Sequence, residues 1–403
     1  MKIIAADYIY TPAGFLSNHA IAFTKTINEI APLEVLQQKY PDAKLITAEP
    51  HSVLYPGFIN THVHLEFSSN KTTLEYGSFI PWLYSVIDDR DALTKGCNTH
   101  IMQHACEEML RSGITSFGAI SSFGLELEVC IKAPQRVVFF NEFIGSNPQN
   151  IDILYADFQE RLKTSCNHKE DRIIPAIAIH APYSVHPVAL RRIVSLAKEN
   201  HYPLSAHLLE SFAERSWLDQ GDGEFKPFFE TYFNQSRPFT AAKEFIETFD
   251  EYPTHFAHCT QADEKELNHL SKQGHSIAHC PRSNRYLGCG RLALEKLNLP
   301  FSLATDGLSS NNTLSIFDEL RAALMIHEHL ELKSLASKLI EAITSNAAQI
   351  LHLNCGKIEQ GRLADFTVIT LPDSPKRIEE IPLWTILHTK EASQVHIEGE
   401  QYV

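Results

Sequence analysis

The feature that most limits what this chain can fold into is an alternation repeated along most of its 403 residues. Short runs rich in β-branched and aromatic residues recur at 55–64, 113–120, 136–145, 173–181, 203–209, 254–259, 276–280 and 300–305. A turn signal follows each, then a stretch of helical period, as at 92–111, 187–200, 264–273 and 314–330. Eight strands alternating with helices predict an α/β fold, a (β/α)8 TIM barrel with all strands parallel. Residues 212–250 exceed an ordinary strand–helix connection and predict a helical insertion over the barrel mouth. The two ends do not share the alternation. Residues 1–54 read as short strands broken at Pro12-Ala13-Gly14, and 355–403 carry strand patterns at Ala364-Asp365-Phe366-Thr367-Val368-Ile369 and near 395–403. Together they predict a small β-sandwich made from both termini beside a barrel spanning 55–354.

In a parallel barrel, functional groups emerge where strands end, at the C-terminal mouth. The first run ends in His62-Val63-His64, and strand alternation sends both imidazoles to one face. His180 ends the fourth run, His207 the fifth, His258 the sixth and Asp306 the eighth. Singly, each has a bland reading: the His-x-His pair as a structural pair, His180 or His207 as a hydrogen-bonded core histidine, Asp306-Gly307 as a turn. Their joint placement at the ends of different strands points to a site. His186, His201, His269, His327 and His329 fall in helical or loop stretches and receive no role. Neutral imidazoles with one carboxylate suit one divalent ion, Zn2+ first and Fe2+ or Mn2+ as alternatives, on His62, His64, His207 and Asp306. Such an ion lowers the pKa of a water towards ~7, and the water then needs a proton acceptor. Glu210, three residues beyond His207, can serve as that shuttle; its bland reading is a cap for the next helix.

Composition narrows the partners. Lys+Arg 35 against Asp+Glu 49 gives a net charge of −14, a field that repels nucleic acid and anionic membrane. The N-terminus meets charge too early for a signal peptide and no apolar run approaches a bilayer span, so a cytoplasmic protein is expected. The eight cysteines form no C-x-x-C pair and are expected reduced and mostly buried. A small-molecule substrate fits, with no nucleic acid and no membrane as partner; a homo-oligomer stays open.

Pro56-Gly57-Phe58-Ile59-Asn60-Thr61-His62-Val63-His64 resembles the opening strand motif of the amidohydrolase superfamily. His207 with Glu210, His258, Cys280-Pro281-Arg282-Ser283-Asn284, Thr305-Asp306-Gly307 with Ser309-Ser310-Asn311-Asn312, and the 356–365 stretch resemble its cytosine/adenine deaminase and chlorohydrolase branch. The resemblance covers nearly the whole chain. Dinuclear members carry a carbamylated lysine at the end of strand four; here that place reads Ala178-Ile179-His180, which implies a single ion. The resemblance further implies that His180 contacts the heterocycle and that His258 and Asp306 act with Glu210 on the attacking water. Tyr76-Gly77-Ser78-Phe79-Ile80-Pro81-Trp82-Leu83, Phe117-Gly118-Ala119-Ile120-Ser121 and His180-Ala181-Pro182-Tyr183-Ser184-Val185 resemble the aminodeoxyfutalosine deaminases of the futalosine route to menaquinone.

The substrate of that subfamily is an adenosine whose 5′ side carries a carboxyphenyl ketone. Its carboxylate calls for a guanidinium, for which Arg285 is the first candidate and Arg282 the second. Phe79 and Trp82 are candidates for the ring pocket, Ser310 is a further substrate-contact candidate, and Asp88 or Asp89 could meet the ribose. Three rival readings remain. One is a sibling deaminase of S-adenosylhomocysteine, methylthioadenosine or another amino-heterocycle. The second is amide or C–Cl hydrolysis in the same barrel, which the presence of both His180 and Glu210 disfavours. The third is a non-catalytic barrel kept as a binding module, which predicts missing ligands where none is missing.

Overall fold

The computed structural model describes residues 1–169 and 172–403. Its centre is a sheet of eight parallel strands: β1 Phe58–Val63, β2 Ile114–Ser121, β3 Arg136–Phe143, β4 Ile173–Ile179, β5 Leu204–Leu208, β6 His255–His258, β7 Ser276–His279 and β8 Phe301–Leu303. They follow one another around the sheet in chain order. Nearly every strand residue is buried, as expected of a sheet covered by helices outside and filled within. The (β/α)8 barrel predicted from the alternation is the observed fold.

The first and last strands meet along a seam joined mainly through side chains. Asn60 Nδ2 donates to Thr305 Oγ1 at 2.7 Å, and the Thr305 N–H to Asn60 Oδ1 at 3.2 Å. The Thr61 and Ser302 hydroxyls lie 2.6 Å apart, with His255 Nε2 3.0 Å from Thr61 Oγ1. One backbone bond, from the Asp306 N–H to the His62 carbonyl at 3.1 Å, closes the ring at its mouth. On the other flank of β1, Gly118 lets β2 approach closely: a Cβ there would stand 2.3 Å from the Thr61 carbonyl oxygen.

Two sequence expectations need correction. The run at 55–64 is two strands. Ser52–Pro56 pairs antiparallel with Phe366–Thr370, and the chain enters β1 only after Gly57, where a Cβ would collide with Thr115. The helical stretch at 92–111 is also two elements, Phe79–Gly96 and Thr99–Arg111. Asn98 restarts the helix, its side chain accepting the Ile101 N–H, a capping preference that outweighs continued helical period.

The termini build two further sheets. Ile27–Pro32, His19–Phe23, Lys2–Ala5 and Lys44–Thr47 form one. Glu400–Gln401, Gln394–Ile397, Phe366–Thr370, Ser52–Pro56, Tyr8–Thr11 and Gly14–Ser17 form the other. They share a core in which Phe23 meets Phe366 edge-on at 5.2 Å, which makes them a sandwich. Among the described residues no helix is long and apolar enough to cross a membrane, and all eight cysteines are free.

Arg136, the first residue of β3, fastens barrel to sandwich. Its Nη1 lies 2.7 Å from Asp365 Oδ2, and its Nη2 3.0 Å from Glu398 Oε1. The Asp365 carboxylate is fully buried, so removal of the guanidinium strands a charge away from water. Arg136→Met is therefore expected to cost on the order of 3–5 kcal/mol, read as a lowered midpoint in denaturant. A change below about 1 kcal/mol would remove this bridge from the account of stability.

Candidate metal centre and active-site cavity

Four side chains from three strand ends converge at the mouth. His64 Nε2 lies 3.3 Å from His207 Nε2 and 3.6 Å from Asp306 Oδ1, and His62 Nε2 lies 3.7 Å from the same oxygen. His207 Nδ1 donates to the His180 carbonyl at 2.8 Å, so its Nε2 is bare and faces His64. His62 is fully buried, and neither ring nitrogen has a hydrogen-bond partner. A buried imidazole with no partner is costly unless something else takes its lone pair. Ligands held at ~2.1 Å in a tetrahedron stand about 3.4 Å apart, close to these three spacings. His62, His64, His207 and Asp306 thus fit one divalent ion.

Electrostatics agree with that donor set. Burial, then the neighbouring His207 and His64, hold His62 well below the ordinary imidazole range. His207 is likewise depressed by burial and by His180 and His64, so both rings are neutral, the form that metal ligation requires. Burial pushes Asp306 up, but His64, His258 and two hydroxyls outweigh it and the carboxyl is lowered. Those hydroxyls belong to Ser283 and Ser310, which donate to Asp306 Oδ2 at 2.7 and 2.8 Å.

Beside the cluster stand Glu210 and His258. His258 Nε2 is 3.7 Å from Glu210 Oε1 and 4.0 Å from Asp306 Oδ2. Asn284 Oδ1 lies 2.8 Å from His258 Nδ1 and accepts its N–H, which turns Nε2 towards Glu210 and Asp306. Glu210 does not cap the next helix. Ser211 accepts the Glu214 N–H, and the Glu214 carboxylate reaches back to the Leu209 and Glu210 N–H groups at 2.9 and 2.7 Å. With its backbone so held, Glu210 presents its side chain to the cavity. Burial and then the Asp306 charge raise the Glu210 carboxyl well above the usual range, while burial lifts Glu214 to about 7.

The backbone at these positions is itself unusual. Leu209, His258, Cys259 and Asp306 have φ of 48°, 70°, 50° and 58°, in the left-handed region. Each follows or ends a strand of the mouth, where a left-handed residue turns the chain sharply. Gly307 completes the turn after Asp306, where a Cβ would lie 2.8 Å from the His64 Cβ.

A cavity of about 490 Å3 opens above these groups. Phe79, Trp82, Tyr183, Phe228, Phe229 and Phe233, with Phe67 and Phe123, supply its aromatic wall. Phe228, Phe229 and Phe233 come from helix Phe225–Phe233, in the insertion that also holds Phe212–Gln220 and Ala242–Glu247. The Trp82 indole donates to the Ser309 carbonyl at 2.8 Å and so fixes the helix Phe79–Gly96 over the mouth. His180 lines the cavity with Nδ1 2.6 Å from Ser184 Oγ, and burial lowers it to about 4, so the ring is neutral near pH 7.

The substrate-contact candidates stand differently towards the cavity. Arg285 is exposed on the short helix Pro281–Tyr286 and does not line the cavity. Arg282 is buried and committed to protein: Nη1 donates to Thr313 Oγ1 at 2.9 Å and lies 3.6 Å from Glu319, and Nη2 contacts Asn312. Ser310 is engaged by Asp306 and lies outside the lining, as do Asp88 and Asp89. Other lining residues were passed over in the sequence. Glu142, one residue short of the end of β3, is buried and faces the cavity with Oε1 3.7 Å from His207 Nδ1. Arg90, on the helix Phe79–Gly96, is the only arginine or lysine in the lining among the described residues.

The model of the Amidohydrolase family matches residues 53–400. The aminodeoxyfutalosine deaminase of a Nitratiruptor species is 43% identical over 404 residues, 100% of each chain. A Helicobacter pylori protein named adenosine deaminase is 35% identical over 413 residues, again 100% of each. The crystal structure of Helicobacter pylori aminofutalosine deaminase in complex with methylthio-coformycin superposes with a TM-score of 0.94 at 33% identity, covering 100% of both chains.

The unpartnered His62 yields a direct test. Zn2+ returned to chelator-stripped protein is expected to raise the melting temperature, the gain reaching about 2.7 kcal/mol at a hundredfold excess over Kd. His62→Leu removes no hydrogen bond, so the stripped variant should melt at or above the stripped wild type while its response to Zn2+ is lost. A variant that keeps the full response would take His62 out of the ligand set.

Proposed function

We propose a function on the premise that this chain belongs to the amidohydrolase family. It is a hydrolytic deaminase of adenine-type nucleosides. Its substrate is 6-amino-6-deoxyfutalosine, converted to futalosine and ammonia in menaquinone biosynthesis; full-length similarity to aminodeoxyfutalosine deaminase supports that choice. The observation that carries the reading is the pairing of Glu210 with His258 beside the histidine–aspartate cluster, at the floor of an aromatic cavity.

His62, His64, His207 and Asp306 hold a single ion, Zn2+ by the borderline character of three imidazoles and one carboxylate. When bound, it supplies Lewis acidity that makes a water nucleophilic near neutral pH. The aromatic wall holds the purine flat and excludes bulk water. His180, neutral at working pH, contacts the heterocycle. Glu210 takes one proton from the attacking water and delivers it to purine N1 as the oxygen bonds to C6. His258, its proton kept on Nδ1 by Asn284, turns the bare Nε2 to the reacting oxygen. The hydroxyl proton then passes to the amine, the C6–N bond breaks, ammonia leaves and the 6-oxo base remains.

Two measurements test the reading. Glu210→Gln should keep its bound metal while kcat falls by about 10²–10⁴-fold; near-normal turnover would sink the shuttle assignment. Ammonia release should be fastest from 6-amino-6-deoxyfutalosine when compared with adenosine, methylthioadenosine and S-adenosylhomocysteine. A higher kcat/KM on one of the sulfur nucleosides would transfer the assignment to the sibling deaminase.

A further inference from the structure

The cavity wall from the helix Phe79–Gly96 has a direction. Phe79, Trp82, Leu83, Val86, Ile87 and Arg90 line it, spaced as one face of an α-helix. The inner end is anchored by the Trp82–Ser309 bond, three residues from Asp306. At 1.5 Å per residue, Arg90 stands about 12 Å further out along the axis than Trp82. There the cavity continues into a surface groove that Arg90 and Phe123 share with Asp91, Thr94, Lys95 and Leu125.

The charges are divided along the same line. The carboxyl groups of the lining, those of Glu142, Glu210 and Asp306, belong to the strand ends at the floor, and its arginine is at the mouth. Arg90 is lightly committed: Nε lies 3.4 Å from Asp91 Oδ1, a side chain 93% exposed, and Nη1 and Nη2 have no protein partner among the described residues. A neutral amino-heterocycle suits the inner end, and a carboxylate at the outer end meets a free two-pronged donor.

We infer that Arg90 is a specificity residue that reads a carboxylate at the outer end of the substrate's 5′ arm, with Phe123 beside the arm's aryl group. The inference rests on the nucleoside-deaminase reading and names the end of the substrate which that chemistry leaves untouched. It moves the carboxylate contact from the loop after β7 to the helix after β1. Since the carboxylate takes no part in bond making, loss of Arg90 weakens binding and leaves the chemical step intact.

The test compares 6-amino-6-deoxyfutalosine with its methyl ester as substrates of wild type, Arg90→Gln and Arg90→Lys. Wild type should prefer the acid. In Arg90→Gln, kcat/KM for the acid should fall at least about tenfold, chiefly through KM, with the ester changed less than about twofold. Arg90→Lys should recover part of the preference, since it keeps the charge and loses the fork. Equal losses on acid and ester would show a structural role and overturn the inference, as would wild-type turnover of both without preference. No ammonia from either substrate in wild type would overturn the deaminase reading itself, and this inference with it.

Discussion

The site depends on the seam between β1 and β8. His62 and Asp306 are far apart in the chain, yet the Asp306 N–H is bonded to the His62 carbonyl, and the Asn60–Thr305 pair locks the strands just below. That register puts one carboxylate oxygen near both imidazoles of the His-x-His pair. A shift of one residue along either strand would turn a ligand into the packed interior. The polar layer of Thr61, Ser302 and His255 beneath the seam is thus part of the site, although it touches nothing that reacts.

Much of this was legible in the sequence because a parallel barrel converts order along the chain into order around a ring. Once eight runs are counted, their last residues must meet, so His62, His64, His180, His207, His258 and Asp306 could be grouped without coordinates. Glu142 escaped the same rule for a local reason. The third run continues through Ile144 to Gly145, while the strand stops at Phe143, so the end of the run lies beyond the carboxylate. The arginines lie away from the cavity for another reason. Arg282 and Arg285 follow the motif after β7, but the chain there winds into a short helix that carries Arg282 to a buried Glu319 and leaves Arg285 exposed. Helical period in 79–90 states that six residues share a face; it does not state that the face covers the mouth.

Glu210 and Glu214 show how two like residues divide a task that composition cannot apportion. Glu214 is engaged by two backbone N–H groups at a left-handed turn, and that engagement frees Glu210 from any capping duty. Asn284 and Ser283 do comparable service for His258 and Asp306 from one short helix, so a single element orients both.

The left-handed residues at the mouth have a bearing on how such a protein can drift or be engineered. Four side chains bearing a Cβ sit where glycine would be relaxed, at a cost of order 1–3 kcal/mol each. Two of the four, His258 and Asp306, belong to the proposed reacting constellation, where exchange for the relaxed residue would remove the group that acts. Consensus or stabilising design scored on backbone comfort alone would first nominate these places for repair, and would repair away the catalyst.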